Sequence, residues 1–219
     1  MLKLIKNILF AGVLLGLSAG AIYWTEAEKE IRILCLMFDA GESADYVTKT
    51  LNTGNLLKYE RSGDKLMVWS NYDLHSNRCT VEFAGNDIIN SRTYVNYFDL
   101  KAWLVWGSTF VSLGFIVFHG LLAKGYPIGA YAWGGKNEVL PKKFRYGSLF
   151  SAILFAVVVL LLLGANLEFL RIAETYPVLG LVFMISAFFN FNTGSVKEKR
   201  MGVPLAVLLY LSFLVLSLQ

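Results

Sequence analysis

Apolar positions along this chain gather into five long runs, and polar residues crowd into the gaps between them. The first run covers residues 8–24, the second 102–122, the third starts near 148 and reaches 167, the fourth spans about 176–191 and the fifth about 203–218. About 20 helical residues, rising 1.5 Å each, cross a hydrocarbon core of about 30 Å. The second run meets that length; the last two are short and would slant or sit in a thinned bilayer. The pattern predicts a membrane all-α fold of five transmembrane helices, in which an N-terminal anchor precedes a four-helix bundle.

Residues 25–100 follow a different rhythm, with short β-prone stretches broken by turn residues, and predict a small α+β domain between helices 1 and 2. Residues 31–38 form an apolar, β-prone run that predicts a strand. Gly41-Glu42-Ser43 interrupts it, and Ser43 is a suitable N-cap for a helix over 44–51 that Gly54 would stop. Residues 56–60 and 65–70 flank Arg61-Ser62-Gly63-Asp64, which predicts a hairpin. Residues 78–83 alternate, with Cys79, Val81 and Phe83 on one face. The expected order is β-α-β-β-β, and the expected division of the chain is 1–24 (anchor), 25–100 (extracytoplasmic domain) and 101–219 (four-helix domain).

Composition and charge sharpen this picture. The chain has 219 residues, is 56% hydrophobic and carries a net charge of +4, too apolar for a soluble domain. Basic residues lie beside the apolar runs: Lys3 and Lys6 before the first, Lys124, Lys136, Lys142, Lys143 and Arg145 between the second and third, and Lys197, Lys199 and Arg200 between the fourth and fifth. Only Arg171 lies between the third and fourth. Positive residues favour the cytoplasmic side. The expected topology is therefore a multi-pass protein of a bacterial cytoplasmic membrane, with its N-terminus cytoplasmic and its C-terminus and residues 25–100 outside. This placement of charge speaks for lipid contact rather than nucleic-acid binding.

The first run also has the marks of a signal peptide, with Ala19-Gly20-Ala21 as a cleavage site. Gly12, Gly16 and Gly20, however, fall on one helix face, where a second helix could approach closely, which favours a retained anchor. Cys35 and Cys79 are the only cysteines, and both fall in the expected external domain. In an oxidising compartment they should pair and staple a small core.

Two histidines and two cysteines argue against zinc, iron–sulfur and thiol-relay chemistry, and His75 and His119 fall on opposite sides of the expected bilayer, where they cannot share a haem or metal. No cofactor or metal is expected. His119, near the end of the second run, is expected to hydrogen-bond a neighbouring helix, with proton relay as the sharper option. The last four runs hold no Asp, Lys or Arg at depth, against ion-coupled transport. Ser186, Asn190 and Asn192 could make a polar patch where the fourth run ends, or simply bond between helices. Glu168, Arg171 and Glu174 suit a solvated surface cluster better than acid–base catalysis. No triad, metal-binding helix or phosphate loop is present, so no enzyme is expected.

The most distinctive segment is 125–148, longer and more aromatic than a connector requires. It places Tyr131 and Trp133 at headgroup level, with Lys142, Lys143 and Arg145 near anionic lipid. Tyr131, Trp133, Gly134, Gly135, Pro141, Lys142, Lys143 and Arg145 are the candidate residues for binding a partner or lipid. Within it stand Ala132-Trp133-Gly134-Gly135, Val139-Leu140-Pro141 and Arg145-Tyr146-Gly147-Ser148. With Asn190, Lys197-Glu198-Lys199-Arg200 and Pro204, residues 102–218 resemble a group of small bacterial integral membrane proteins of unknown function. Their shared pattern is similar to A-W-G-G, a short basic stretch, L-P, L-R and a small residue. This chain departs from it at Phe144, where Leu is usual, and at Asn137-Glu138, where basic residues are common. The resemblance implies a four-helix membrane unit and no activity.

The expected function is that of a non-catalytic accessory or scaffold subunit that binds other membrane or extracytoplasmic proteins through the external domain and the basic aromatic loop. A small channel or carrier for an uncharged solute or lipid, and an immunity-type or envelope-sensing protein, are the alternatives.

Overall fold

Among the described residues, four helices are long and apolar enough to cross a membrane: Leu2–Leu36, Leu100–Lys124, Lys142–Ala165 and Val196–Ser217. A fifth apolar helix, Tyr176–Asn192, is shorter. This is the build of a multi-pass membrane protein. The computed structural model describes residues 1–166 and 173–218. The chain divides into two compact units, Met1–Leu100 and Lys101–Gln219.

In the first unit, helix α1 (Leu2–Leu36) runs unbroken through position 24 and far beyond the apolar run that starts it. The strand expected over 31–38 is therefore overturned. Ile31, Cys35 and Phe38 are buried, whereas Ile33, Leu36 and Met37 are 54%, 58% and 46% exposed. Burial every three to four residues is the helical period, not the strand's. Adding residues to an existing helix also avoids the cost of nucleation, which outweighs β-propensity here. Arg92 closes the helix by donating from Nη1 to the carbonyl of Leu36 at 2.6 Å and to that of Phe38. A cation at this end also suits the helix dipole.

Helix α2 (Ala44–Leu51) matches its expected limits, and the Ser43 hydroxyl accepts from the Tyr46 N–H at 3.3 Å. An antiparallel sheet follows, its strands in sequence order: β1 (Lys58–Ser62), β2 (Lys65–Trp69), β3 (Asn77–Phe83) and β4 (Ile89–Asn96). The expected hairpin is present, with Ser62 opposite Lys65 and Gly63 at φ +63°. In β3, Asn77, Cys79, Val81 and Phe83 are all buried, as the alternation requires. The order is thus α-α-β-β-β-β, which corrects β-α-β-β-β at both ends. β4 lacks alternation, and pairing along β3, with Tyr94 opposite Cys79, is what holds it as a strand. Ile31, Phe38, Val47, Leu51, Leu66 and Val81 form the core between helices and sheet. A Cys35–Cys79 disulfide spans that core, its Cα atoms 5.8 Å apart.

The second unit contains α3 (Leu100–Lys124), α4 (Lys142–Asn166), α5 (Tyr176–Asn192) and α6 (Val196–Ser217). Two helices start earlier than hydropathy predicts. Lys142, Lys143 and Arg145 belong to the opening of α4, and Lys197 to Arg200 to that of α6, so these charges are helical rather than in loops. Cations at a helix N-terminus oppose its dipole, so helix stability does not explain their position; contact with an anionic surface would. Leu162, Leu209 and Phe213 anchor the core. Phe183 stacks on Phe213 with centroids 5.7 Å apart. Buried Ser108 and Ser212 hydroxyls join α3 to α6 at 2.7 Å, a close approach that small side chains permit.

Candidate functional site: a clamped loop over an aromatic cavity

Residues 125–141 fold into single turns of 3₁₀ helix at Gly129–Tyr131 and Trp133–Gly135. Trp133, Gly134 and Gly135 stand in the left-handed region at φ 54°, 82° and 68°. Two glycines adopt this without penalty; the tryptophan costs about 1–2 kcal/mol. Its indole contacts offset that. Nε1 donates to the Ser148 hydroxyl at 3.0 Å, and the ring lies 5.4 Å from that of Phe144. The ring also lies so close over Gly147 that a Cβ there would sit 2.7 Å from it.

The loop is fastened to the start of α6 by one acid. The Glu198 carboxylate accepts from the Gly134 N–H at 2.9 Å and from the Thr193 hydroxyl at 2.7 Å. Ser195, the N-cap of α6, accepts from the Glu198 N–H at 3.2 Å and donates to the Ala130 carbonyl at 3.0 Å. A Cβ on Gly135 would lie 2.5 Å from the Ser195 hydroxyl. At the other end of the loop, Arg145 Nε donates to the Leu140 carbonyl at 2.7 Å. Buried Leu122, Ala132 and Leu140 fill the space beneath.

Of the candidate loop residues, Gly134, Gly135 and Arg145 are therefore internal fasteners, and Trp133 is partly so. Tyr131, Pro141, Lys142 and Lys143 remain exposed, with the Lys197 ammonium 5.3 Å from the Tyr131 ring. Gly12, Gly16 and Gly20 lie on α1 with nothing within 4 Å of a Cβ built at each.

A cavity of about 360 Å³ opens beside the loop. Phe115, Phe155 and Phe183 are among its lining residues, with Trp133, Asn190 and Glu198 among the polar ones. Among the described residues, neither lysine nor arginine lines it. His119 also lines it, packed among the rings of Phe115, Phe118 and Phe155 at 5.3–6.2 Å. Its Nδ1 is buried without a hydrogen-bond partner. Asn190 bonds within its own helix, donating to the Ser186 carbonyl at 2.9 Å and hydroxyl at 3.2 Å. Its amide presses on Gly202 of α6, where a Cβ would collide. Asn192 donates to the Phe188 carbonyl at 2.9 Å.

His75 lies in the other unit, with Nε2 2.9 Å from the Asn71 side-chain oxygen. Glu174 is exposed, and Glu168 and Arg171 lie outside the described residues. No group of three or more His, Cys, Asp and Glu that could hold a metal occurs among the described residues.

Glu198 is the residue that hydropathy reading passes over, because it hides in a charged stretch. A signal for it exists: Ser195-Val196-Lys197-Glu198 before an apolar run is the capping-box pattern. Comparison with protein-family models, curated proteins and solved structures finds no match.

Proposed function

We propose that the chain is a non-catalytic accessory or scaffold subunit of a bacterial cytoplasmic membrane. In this reading it crosses five times, with the N-terminus and the clamped loop cytoplasmic and the disulfide-bonded residues 25–100 outside. The observation that supports it is the build of the loop. Glu198, Ser195 and Ser148 fix its backbone and its tryptophan, while Tyr131, Lys142 and Lys143 stay exposed on its surface. A connector needs no such fastening, whereas a docking platform gains affinity from being ordered before its partner arrives.

The test is photocrosslinking in intact cells from position 142, with lipid-facing position 160 as control. A discrete protein adduct from 142, absent from 160 and lost in Glu198→Ala, is the expected result. Lipid adducts alone from both positions, with a chain that purifies as a lone monomer, would defeat the reading. Reporter fusions at residue 60 and residue 137 check the topology, which fails if both report one compartment.

The cavity favours a second reading, a small carrier. A solute whose uptake depends on the chain and stops when the cavity is filled would select it over the scaffold.

A further inference from the structure

We propose that the cavity beside the loop binds an amphiphilic organic cation, with its apolar body among the phenylalanines and its charge held by Glu198. This goes beyond the scaffold reading and rests on the cavity alone.

Charge decides the class. Among the described residues, Glu198 is the only acid lining the space, and neither lysine nor arginine lines it. A carboxylate on the wall attracts a positive group and disfavours fatty acids and phosphate headgroups, and the Lys197 ammonium lies against the Tyr131 ring rather than among the lining side chains. Both hydrogen bonds of the loop clamp fall on the same Glu198 oxygen, Oε2. The carboxylate thus keeps a second oxygen beyond those two bonds.

The walls decide the kind of cation. Phe115, Phe155 and Phe183, with Trp133, line the space, and an aromatic ring attracts a cation held within about 6 Å of its face. A primary ammonium is compact and strongly hydrated, and loses much on leaving water. An alkylated or aryl-substituted cation is weakly hydrated and carries its own apolar surface, so it suits rings and a single acid. The unpartnered Nδ1 of His119 supplies one further polar contact that a solely apolar guest would leave unused. The volume of about 360 Å³ falls in the range of small-molecule sites.

The experiment measures tetraphenylphosphonium binding to the purified full chain in nonionic detergent by equilibrium dialysis. Saturable binding of one cation per chain is expected, with no saturable binding of tetraphenylborate, the anion of like shape. Glu198→Gln keeps an acceptor for the loop but removes the charge, and should weaken binding at least tenfold. Ser151→Phe fills the cavity from α4 and leaves Glu198 in place; it should abolish saturable binding. Near-UV circular dichroism shows whether each variant keeps its tryptophan packing, and if Glu198→Gln does not, Ser151→Phe decides alone. No saturable binding to the wild type, equal binding of cation and anion, or unaltered binding in Ser151→Phe would overturn the proposal. The scaffold reading is unaffected by that failure, since its crosslinks come from position 142, which does not line the cavity.

Discussion

Removing the disulfide should loosen the first unit by an amount that chain statistics set in advance. Cys35 and Cys79 close a loop of sequence separation 44. The loop-entropy relation then gives about 13 cal/mol/K, or about 4 kcal/mol at 25 °C. The helix carrying Cys35 also restrains one end of the unfolded segment, so this figure is a ceiling, and roughly 2–4 kcal/mol is the expected range. Both cysteines are only 1% exposed, so reductant reaches them slowly and a double Cys35→Ala, Cys79→Ala variant is the cleaner perturbation. The assay is hydrogen exchange of the full chain in micelles, followed in peptides covering β2 and β3. A loss of about 3 kcal/mol accelerates exchange there roughly a hundredfold, while α4 peptides should be unchanged. Acceleration below tenfold in β3 would refute the idea that the cross-link, rather than the core packed around Ile31 and Val81, sustains this unit.

Gly135→Ala would place a methyl 2.5 Å from the Ser195 hydroxyl at φ +68°; loss of about 1–3 kcal/mol of loop stability should show as faster proteolysis between 125 and 141. Arg92→Ala frees the Leu36 and Phe38 carbonyls and should cost about 1–3 kcal/mol, read as faster exchange at the end of α1. Burial pushes the Tyr94 phenol up to about 12, with Glu28 adding to the effect, and its hydroxyl donates to the Asn77 side chain at 2.6 Å. A folded value above the unfolded one means that this contribution is full below about pH 10 and fades as pH rises towards 12; absorbance titration of Tyr94→Phe against wild type should remove the highest phenol transition.

Periodicity carried most of what could be read beforehand. Ser43, Val47 and Leu51 set α2 because a cap and a buried face at i and i+4 act locally. Cys79, Val81 and Phe83 set β3 by alternation. The strand expected at 31–38 failed because hydrophobic content was weighed there instead of spacing: Ile31, Cys35 and Phe38 already show the helical interval. β4 was illegible for a different reason. Ile89–Asn96 has no pattern of its own and exists as a strand through its partner. In the second unit the loop was recognisable as unusual, but its fastening was not, since Gly134 meets Glu198 across 64 positions.

That long-range contact explains why the unusual residues occur together. The left-handed backbone at 133–135 brings the Gly134 N–H to the Glu198 carboxylate. The same turn brings the indole onto Gly147, where any side chain would collide, and onto Ser148, which satisfies its N–H. Gly202, one helical turn beyond Glu198, has no room for a side chain because Asn190 occupies the space. Gly147 and Gly202 are therefore each required by a larger neighbour, and Gly134 by its left-handed backbone. The loop geometry alone would be served by a glutamine at 198, which offers the same acceptor. A carboxylate adds a negative charge to the cavity lining, which the proposed cation would use. Glu198→Gln separates the two roles: a retained loop with lost cation binding assigns the charge to the ligand, whereas a loosened loop with unchanged binding would assign it to the clamp.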